Sequence, residues 1–196
     1  TSPAFTLKEE HPTGEQYAQY LRGVAKGYDL QIQEGIEVKS LQKHEKGFLL
    51  DTSMGEVIAK FVIWAAGEFH YPNLTPFPGA EHGIHNTQID DWRTLDGDDF
   101  LIIGGYESGI DAAFHLTSAG KRAKVLDSRK TWEEKDSDPS ISLSTYTLER
   151  LRKAQETEKI ELIGQTKING IVKENGHFIV KTSSENNGEI DYRTKT

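Results

Sequence analysis

The chain has 196 residues, 28% of them charged and 35% apolar, the profile of one ordinary globular domain or two small ones. A formal net charge of −8 argues against nucleic acid or an anionic membrane as partner, since both demand a basic face. Cysteine is absent, which removes disulfides, thiolate zinc sites and Cys-x-x-Cys redox pairs and leaves the cytoplasm as the default compartment.

From the N-terminus, no charged-then-apolar signal segment opens the chain, and no apolar run approaches the ~18 residues of a membrane span. The first periodic segment is EQYAQYLRGVAKG, residues 15–27, where Tyr17, Tyr20, Leu21 and Val24 fall at helical spacing and Thr13 stands ready as a cap. Strands are expected over DLQI, IEVKSL, FLLDT and EVIAKF, the last running on into VIWAAG as a buried strand that ends in Ala65-Ala66-Gly67. Small residues there let a ligand approach the backbone, and a plain interdomain linker explains the proline-rich segment that follows equally well. His82 and His85 sit in that Pro/Gly-rich segment without helical spacing and read as surface histidines rather than a metal pair. Asp90-Asp91 and Asp96–Asp99 read as a solvated acidic loop, and Trp64, Trp92 and Trp132 as core or interface anchors.

The stretch from Phe100 to Leu116, FLIIGGYESGIDAAFHL, carries the chemistry. A short buried strand runs into Gly104-Gly105, a polar turn follows, and a helix opens with Ala112 and Ala113 small enough to pack on a sheet. Gly104 permits the tight turn, and Gly109 lets the helix approach the strand. The helix N-terminus offers N–H groups and a positive dipole end to a pyrophosphate. Tyr106 stands where a glycine usually admits the phosphate; its ring is expected outside the turn, with Gly105 and the amides of Glu107, Ser108 and Gly109 lining the inside. Ser108 is one place late for the nucleophile elbow of a hydrolase. The next strand, AKVLD, ends at Asp127, placed for the ribose hydroxyls of NAD, yet Ser128 and Arg129 follow at once, and an arginine here holds a 2′-phosphate. The two readings conflict; the balance leans to NADP(H), with Asp127 turned away or paired with Arg129.

A repeat organises the whole. Residues 145–196 restate the plan of 15–61, and the two segments superimpose at an offset of 130 residues without a gap: Phe48 meets Phe178, Thr52-Ser53 meets Thr182-Ser183, and Leu30, Ile32, Val38, Leu41, Leu49 and Leu50 meet Ile160, Leu162, Ile168, Ile171, Ile179 and Val180. The glycine turn equivalent to Gly104 would then precede residue 1, so the chain reads as an interior piece of a longer protein.

WAAGEFHYPN, FPGAEHGIHNTQIDDW and IIGGYESGIDAA together resemble the flavoproteins with two dinucleotide-binding domains, the group of flavin-containing monooxygenases and thioredoxin-reductase-like enzymes, and most of all bacterial flavin-containing monooxygenases. The resemblance implies an α/β chain of Rossmann-like, three-layer domains, the first incomplete: residues 1–92 from an FAD-binding domain and crossing segment, residues 93–196 an NAD(P)-binding domain. It implies FAD and NADP as cofactors, with Ser2, Pro3 and Phe5 near the flavin, the Val38 backbone near the adenine end of FAD, and Ala65, Ala66 and Gly67 near its diphosphate. Gly104 to Gly109, Asp127, Ser128 and Arg129 would hold the nicotinamide nucleotide. The implied activity is hydride transfer from NADPH to flavin and then to oxygen, with no side chain required as acid or base. The alternatives are an NADPH-dependent reductase of a low-molecular-weight disulfide and a nucleotide-sensing module, though a lone sensor has no need of a duplicated partner. A small molecule is the expected substrate and a homodimer the candidate assembly.

Overall fold

The computed structural model describes residues 6–9, 12–67, 71–138, 140–186 and 188–195, and the chain divides into two compact units, Thr1–Ala66 and Gly67–Thr196. In the first, helix α1 (Gly14–Gly27) starts at a capping box: the Gln16 amide donates to Thr13 Oγ1 at 3.2 Å and the Thr13 amide to Gln16 Oε1 at 2.7 Å, which satisfies two orphan donors of the first turn. Strands β1 (Val38–His44), β2 (Gly47–Thr52) and β3 (Gly55–Ala59) form an antiparallel sheet in that order. Two expected strands are missing. Residues 29–32 are irregular, with Leu30 and Ile32 exposed, and β3 stops at Ala59, leaving Phe61 and Ile63 at 87% and 90% exposure. An apolar run becomes a buried strand only where a neighbouring strand completes its ladder and a layer covers its faces. Among the described residues no strand pairs with 61–67, and Trp64, expected as an anchor, is likewise exposed.

The second unit is α/β. Its parallel sheet runs β4 (Asp99–Ile103), β5 (Arg122–Leu126), β6 (Ile160–Ile163) in spatial order, with α2 (Glu107–Ser118) and α3 (Thr145–Glu156) as the crossover helices. An antiparallel sheet of β7 (Lys167–Glu174), β8 (His177–Ser184) and β9 (Gly188–Thr194) follows. The period of two along the parallel strands sorts their side chains into two cores. Ala123 and Val125 of β5 join Ile110, Ala113, Leu143 and Leu151 beneath the helices, whereas Leu126 on the opposite face joins Ile171 and Val180 of the antiparallel sheet. Helices, parallel sheet and antiparallel sheet are therefore three layers. Ile110, Leu116 and Val125 are fully buried, each worth about 1.5–3 kcal/mol by transfer alone. Arg150 locks the two helices together, its guanidinium 2.7 Å from Asp111 and 4.2 Å from the Tyr146 ring centre. Residues 77–82 pack on this unit too: the Ile171 amide donates to the Pro78 carbonyl at 2.9 Å, Phe77 joins the Leu126 core, and His82 lies against Phe178.

The repeat holds at the level of hydrogen-bond register. In the first unit Val38 pairs with Thr52, a bulge follows, and Ser40 pairs with Asp51, Leu41 with Leu50 and His44 with Gly47. In the second, Ile168 pairs with Thr182, a bulge follows, and Gly170 pairs with Lys181, Ile171 with Val180 and Glu174 with His177. Every pair, the bulge included, is displaced by 130 residues. Even the buried threonines correspond, Thr52 Oγ1 donating to the Gly55 carbonyl and Thr182 Oγ1 to the Ile190 carbonyl, both at 2.6 Å.

Candidate nucleotide-binding site

The C-terminal ends of β4, β5 and β6 lie side by side, and the segments that leave them build the site. Gly104 follows β4 with φ +102°, a conformation that L side chains rarely adopt, and its amide donates to the Leu126 carbonyl at 2.8 Å. The chain then turns into α2 so closely that a Cβ on Gly109 would stand 1.8 Å from the Gly104 carbonyl oxygen. No side chain caps α2. The first intrahelical bond is from the Ile110 amide to the Tyr106 carbonyl, so the amides of Glu107, Ser108 and Gly109 precede the helical ladder and face an anion-binding end. A Cβ on Gly104 would meet open space, and that is where a ligand can reach the backbone.

Gly105 does not line the inside of the turn, contrary to the sequence reading. A Cβ there would meet Trp132 Cζ3 at 2.5 Å and Asp127 Cβ at 2.8 Å, so Gly105 is needed for packing against Trp132 and not for access by phosphate. Tyr106 leans on the core of Ile110, Ala113 and Leu151, which keeps its ring out of the turn. Glu107 turns the other way. Its carboxylate accepts from the Ser144 amide at 2.6 Å, from Ser144 Oγ at 3.1 Å and from Thr147 Oγ1, joining the N-termini of α2 and α3. An acidic group is favoured at both.

Asp127 is the centre of the arrangement. Its Oδ1 accepts from the Gly105 amide at 3.2 Å; its Oδ2 accepts from the amides of Arg129 and Thr131 at 3.3 and 3.0 Å and from Thr131 Oγ1 at 2.9 Å. Burial, the largest influence, would raise this carboxyl, but the donors of Thr131, Gly105 and Arg129 outweigh it and hold Asp127 below the usual carboxylate range. Asp127 thus braces the glycine turn against the loop after β5. No ion pair joins it to the Arg129 guanidinium among the described residues; the bond to Arg129 is through its backbone. The same loop is stitched to the next strand, with the Gln165 amide donating to the Arg129 carbonyl at 2.8 Å and the Thr166 amide to the Asp127 carbonyl at 2.9 Å. Ser128 and Arg129 are exposed and line a groove of about 850 Å³.

The structure brings Gly104 to Gly109, Asp127, Ser128 and Arg129 together at one sheet edge. Val38 opens β1 in the first unit, and Ala65, Ala66 and Gly67 are exposed in the irregular segment beyond β3; no hydrogen bond joins them to Val38 among the described residues. Ser2, Pro3 and Phe5 lie outside the described residues. Sequence reasoning missed Thr131, which completes the turn, and Ser144 and Thr147, which hold Glu107; Trp132, expected as a core or interface anchor, packs on the core of Ile110 and Ala113 and fills the space beside Gly105. Only Thr131 left a local trace, as a hydroxyl four residues beyond an aspartate that ends a strand.

The sequence pattern of the pyridine nucleotide-disulphide oxidoreductases matches residues 1–194. An uncharacterized oxidoreductase, CzcO, of Bacillus velezensis is 31% identical over 110 residues, which is 54% of this chain and 32% of that protein. The chain therefore spans about a third of the length of that curated relative. Among solved structures, the bacillithiol disulfide reductase Bdr from Staphylococcus aureus superimposes with a TM-score of 0.68 at 23% identity, over 95% of this chain and 54% of that one. An ornithine N-hydroxylase of Kutzneria sp. 744, whose structure is described with reduced FAD, NADP+ and L-ornithine, superimposes at 0.64 with 10% identity, over 94% and 57%. These likenesses establish a FAD/NAD(P)-binding Rossmann-type fold. No helix among the described residues is long and apolar enough to cross a membrane.

Proposed function

The chain belongs to the pyridine nucleotide-disulphide oxidoreductases, and on that premise we propose that residues 93–196 bind NADPH for a flavin-dependent oxidoreductase of monooxygenase type. One observation carries the nucleotide choice: both oxygens of Asp127 are engaged by four protein donors. A ribose diol seeking that carboxylate would have to displace buried hydrogen bonds, at a cost of about 1–3 kcal/mol for each donor left unpaired. Arg129, by contrast, has no ion pair among the described residues and stands in the groove beside the turn. The amides of Glu107 to Gly109 would hold the pyrophosphate, with the open space at Gly104 admitting it, and Arg129 the 2′-phosphate.

Bound FAD supplies the hydride acceptor and the electrons passed onward. Ala65 and Ala66, small and exposed, leave their backbone open to its diphosphate. We assign oxygen as the final acceptor on the resemblance of WAAGEFHYPN, FPGAEHGIHNTQIDDW and IIGGYESGIDAA to the corresponding segments of bacterial flavin-containing monooxygenases. The fold shared with a bacillithiol disulfide reductase supports a second reading, direct reduction of a low-molecular-weight disulfide. Following NADPH oxidation by the full-length protein with and without oxygen separates the two: oxidation that persists without oxygen when a disulfide is supplied removes the monooxygenase reading.

Calorimetric titration tests the nucleotide assignment. Arg129→Ala is expected to weaken NADPH by about 1–3 kcal/mol, the loss of a charge-assisted contact, and to leave NADH nearly unchanged. Tighter binding of NADH than NADPH by the unmutated protein overturns the assignment, as does binding of neither.

A further inference from the structure

We propose that Lys167, the first residue of β7, is a second cation for the 2′-phosphate of the nucleotide, so that the C-terminal antiparallel sheet helps determine specificity; this rests on the NADPH reading above. Two segments contribute to the open groove of about 850 Å³, the loop after β5 and the strands β7 and β8. Ser128 and Arg129 from the loop after β5, Lys167 at the start of β7 and Ser184 at the end of β8 all line it. Backbone bonds fix the loop after β5 relative to the start of β7. The Gln165 amide reaches the Arg129 carbonyl and the Thr166 amide the Asp127 carbonyl, so Lys167 starts β7 immediately beyond the stitched segment. Its pairing with Ser183 then sets Ser184 at the same rim.

The charges narrow the choice of cation. Lys130 also lines the groove, but its ammonium is paired with Glu133 at 3.4 Å. Arg129 and Lys167 have no ion-pair partner among the described residues. Glu134 and Glu185 line the groove as well, so it holds as many carboxylates as cations and its net charge draws in no anion. An anion is held there only if it sits between Arg129 and Lys167. A phosphate monoester carries close to two negative charges at pH 7 and three acceptor oxygens, which suits one guanidinium fork and one ammonium better than either alone.

Calorimetry on the full chain, on Lys167→Gln and on Lys167→Arg, with NADPH, NADH, 2′,5′-ADP, 5′-AMP and inorganic phosphate, decides it. Lys167→Gln is expected to weaken 2′,5′-ADP and NADPH about tenfold while 5′-AMP and NADH stay within twofold; Lys167→Arg should recover most of the loss. Lys167 is exposed, so unchanged thermal unfolding of both variants accompanies the effect. If Arg129→Ala lowers the preference for 2′-phosphorylated ligands and Lys167→Gln does not, Lys167 is no part of the site and the NADPH reading stands. If the unmutated chain shows no preference for 2′,5′-ADP over 5′-AMP, both fall. Binding of inorganic phosphate as tight as that of 2′,5′-ADP overturns the proposal as well, since the groove would then be a generic anion site.

Discussion

Gly109→Ala is expected to cost the second unit about 3 kcal/mol of stability and with it the binding of NADPH. The added methyl would sit 1.8 Å from the Gly104 carbonyl oxygen and 2.9 Å from its carbon. Those atoms are backbone, so no side chain can swing aside; α2 must move off β4. That shift opens the seam where Ile110 and Ala113 are fully buried, and it moves the amides of Glu107 to Gly109 away from the Gly104 backbone. At roughly 2–4 °C per kcal/mol for a protein of this size, the unfolding temperature should fall by about 6–12 °C. Ser108→Ala is the control, because Ser108 is exposed on the same turn and its side chain meets nothing that packing requires. Equal thermal stability and equal NADPH affinity in Gly109→Ala and the unmutated chain would show that the turn is looser than the structure has it.

Asp127→Ala is expected to cost about 2–4 kcal/mol, because four donors lose their acceptor and those of Gly105 and Thr131 are buried. Asn is no remedy. With its amide oxygen accepting from the three donors that now point at Oδ2, its NH2 would face the Gly105 amide, itself a donor. The effect also has a pH dependence of fixed sign. The folded carboxyl lies below its ordinary range although burial pushes it up, so the charged form is the one that the fold prefers. Its stabilisation is complete above the unfolded value of about 3.9 and is lost as pH falls through the lower folded value. Urea unfolding of the two proteins from pH 7 to 3 should therefore show a constant gap down to about pH 4 that narrows below it. A gap that widens on acidification would mean that the protonated form is the stabilised one, and the brace would have to be assigned differently. NADPH affinity should fall in the same variant, since Asp127 joins the glycine turn to the Arg129 loop.

How much of this was legible beforehand depends on whether the determining contacts are local. Helix α1 was readable to within a residue, because its apolar spacing and the Thr13 cap are written in consecutive positions. The glycine turn was readable for the same reason: Gly104 and Gly109 answer steric demands set by a strand and a helix that adjoin them. The 130-residue repeat was readable because a register in a hairpin is set by alternation and turn length, and both are copied, down to the bulge between Val38 and Ser40 and that between Ile168 and Gly170. The strand expected over 62–67 was not, since an apolar run says only that a segment is suited to burial, and not whether a neighbour completes its ladder.

The sequence by itself determined the class of the fold, the repeat, the glycine turn between β4 and α2, and the two rival candidates, Asp127 and Arg129, for a nucleotide contact. It did so because each rests on residue type and spacing within one segment. Tertiary structure alone showed that both oxygens of Asp127 are taken by protein donors, which is what the NADPH proposal rests on. Gly105, Thr131 and Asp127 are up to 26 residues apart in sequence, and nothing in their spacing says that one carboxylate collects their donors. Trp132 fills the space beside Gly105 for the same reason, and Lys167 comes to line the same groove as Arg129 only because the ladder between β5 and β6 is extended beyond both strands. A carboxylate's role is set by which donors reach it first, and that is a property of the packed chain.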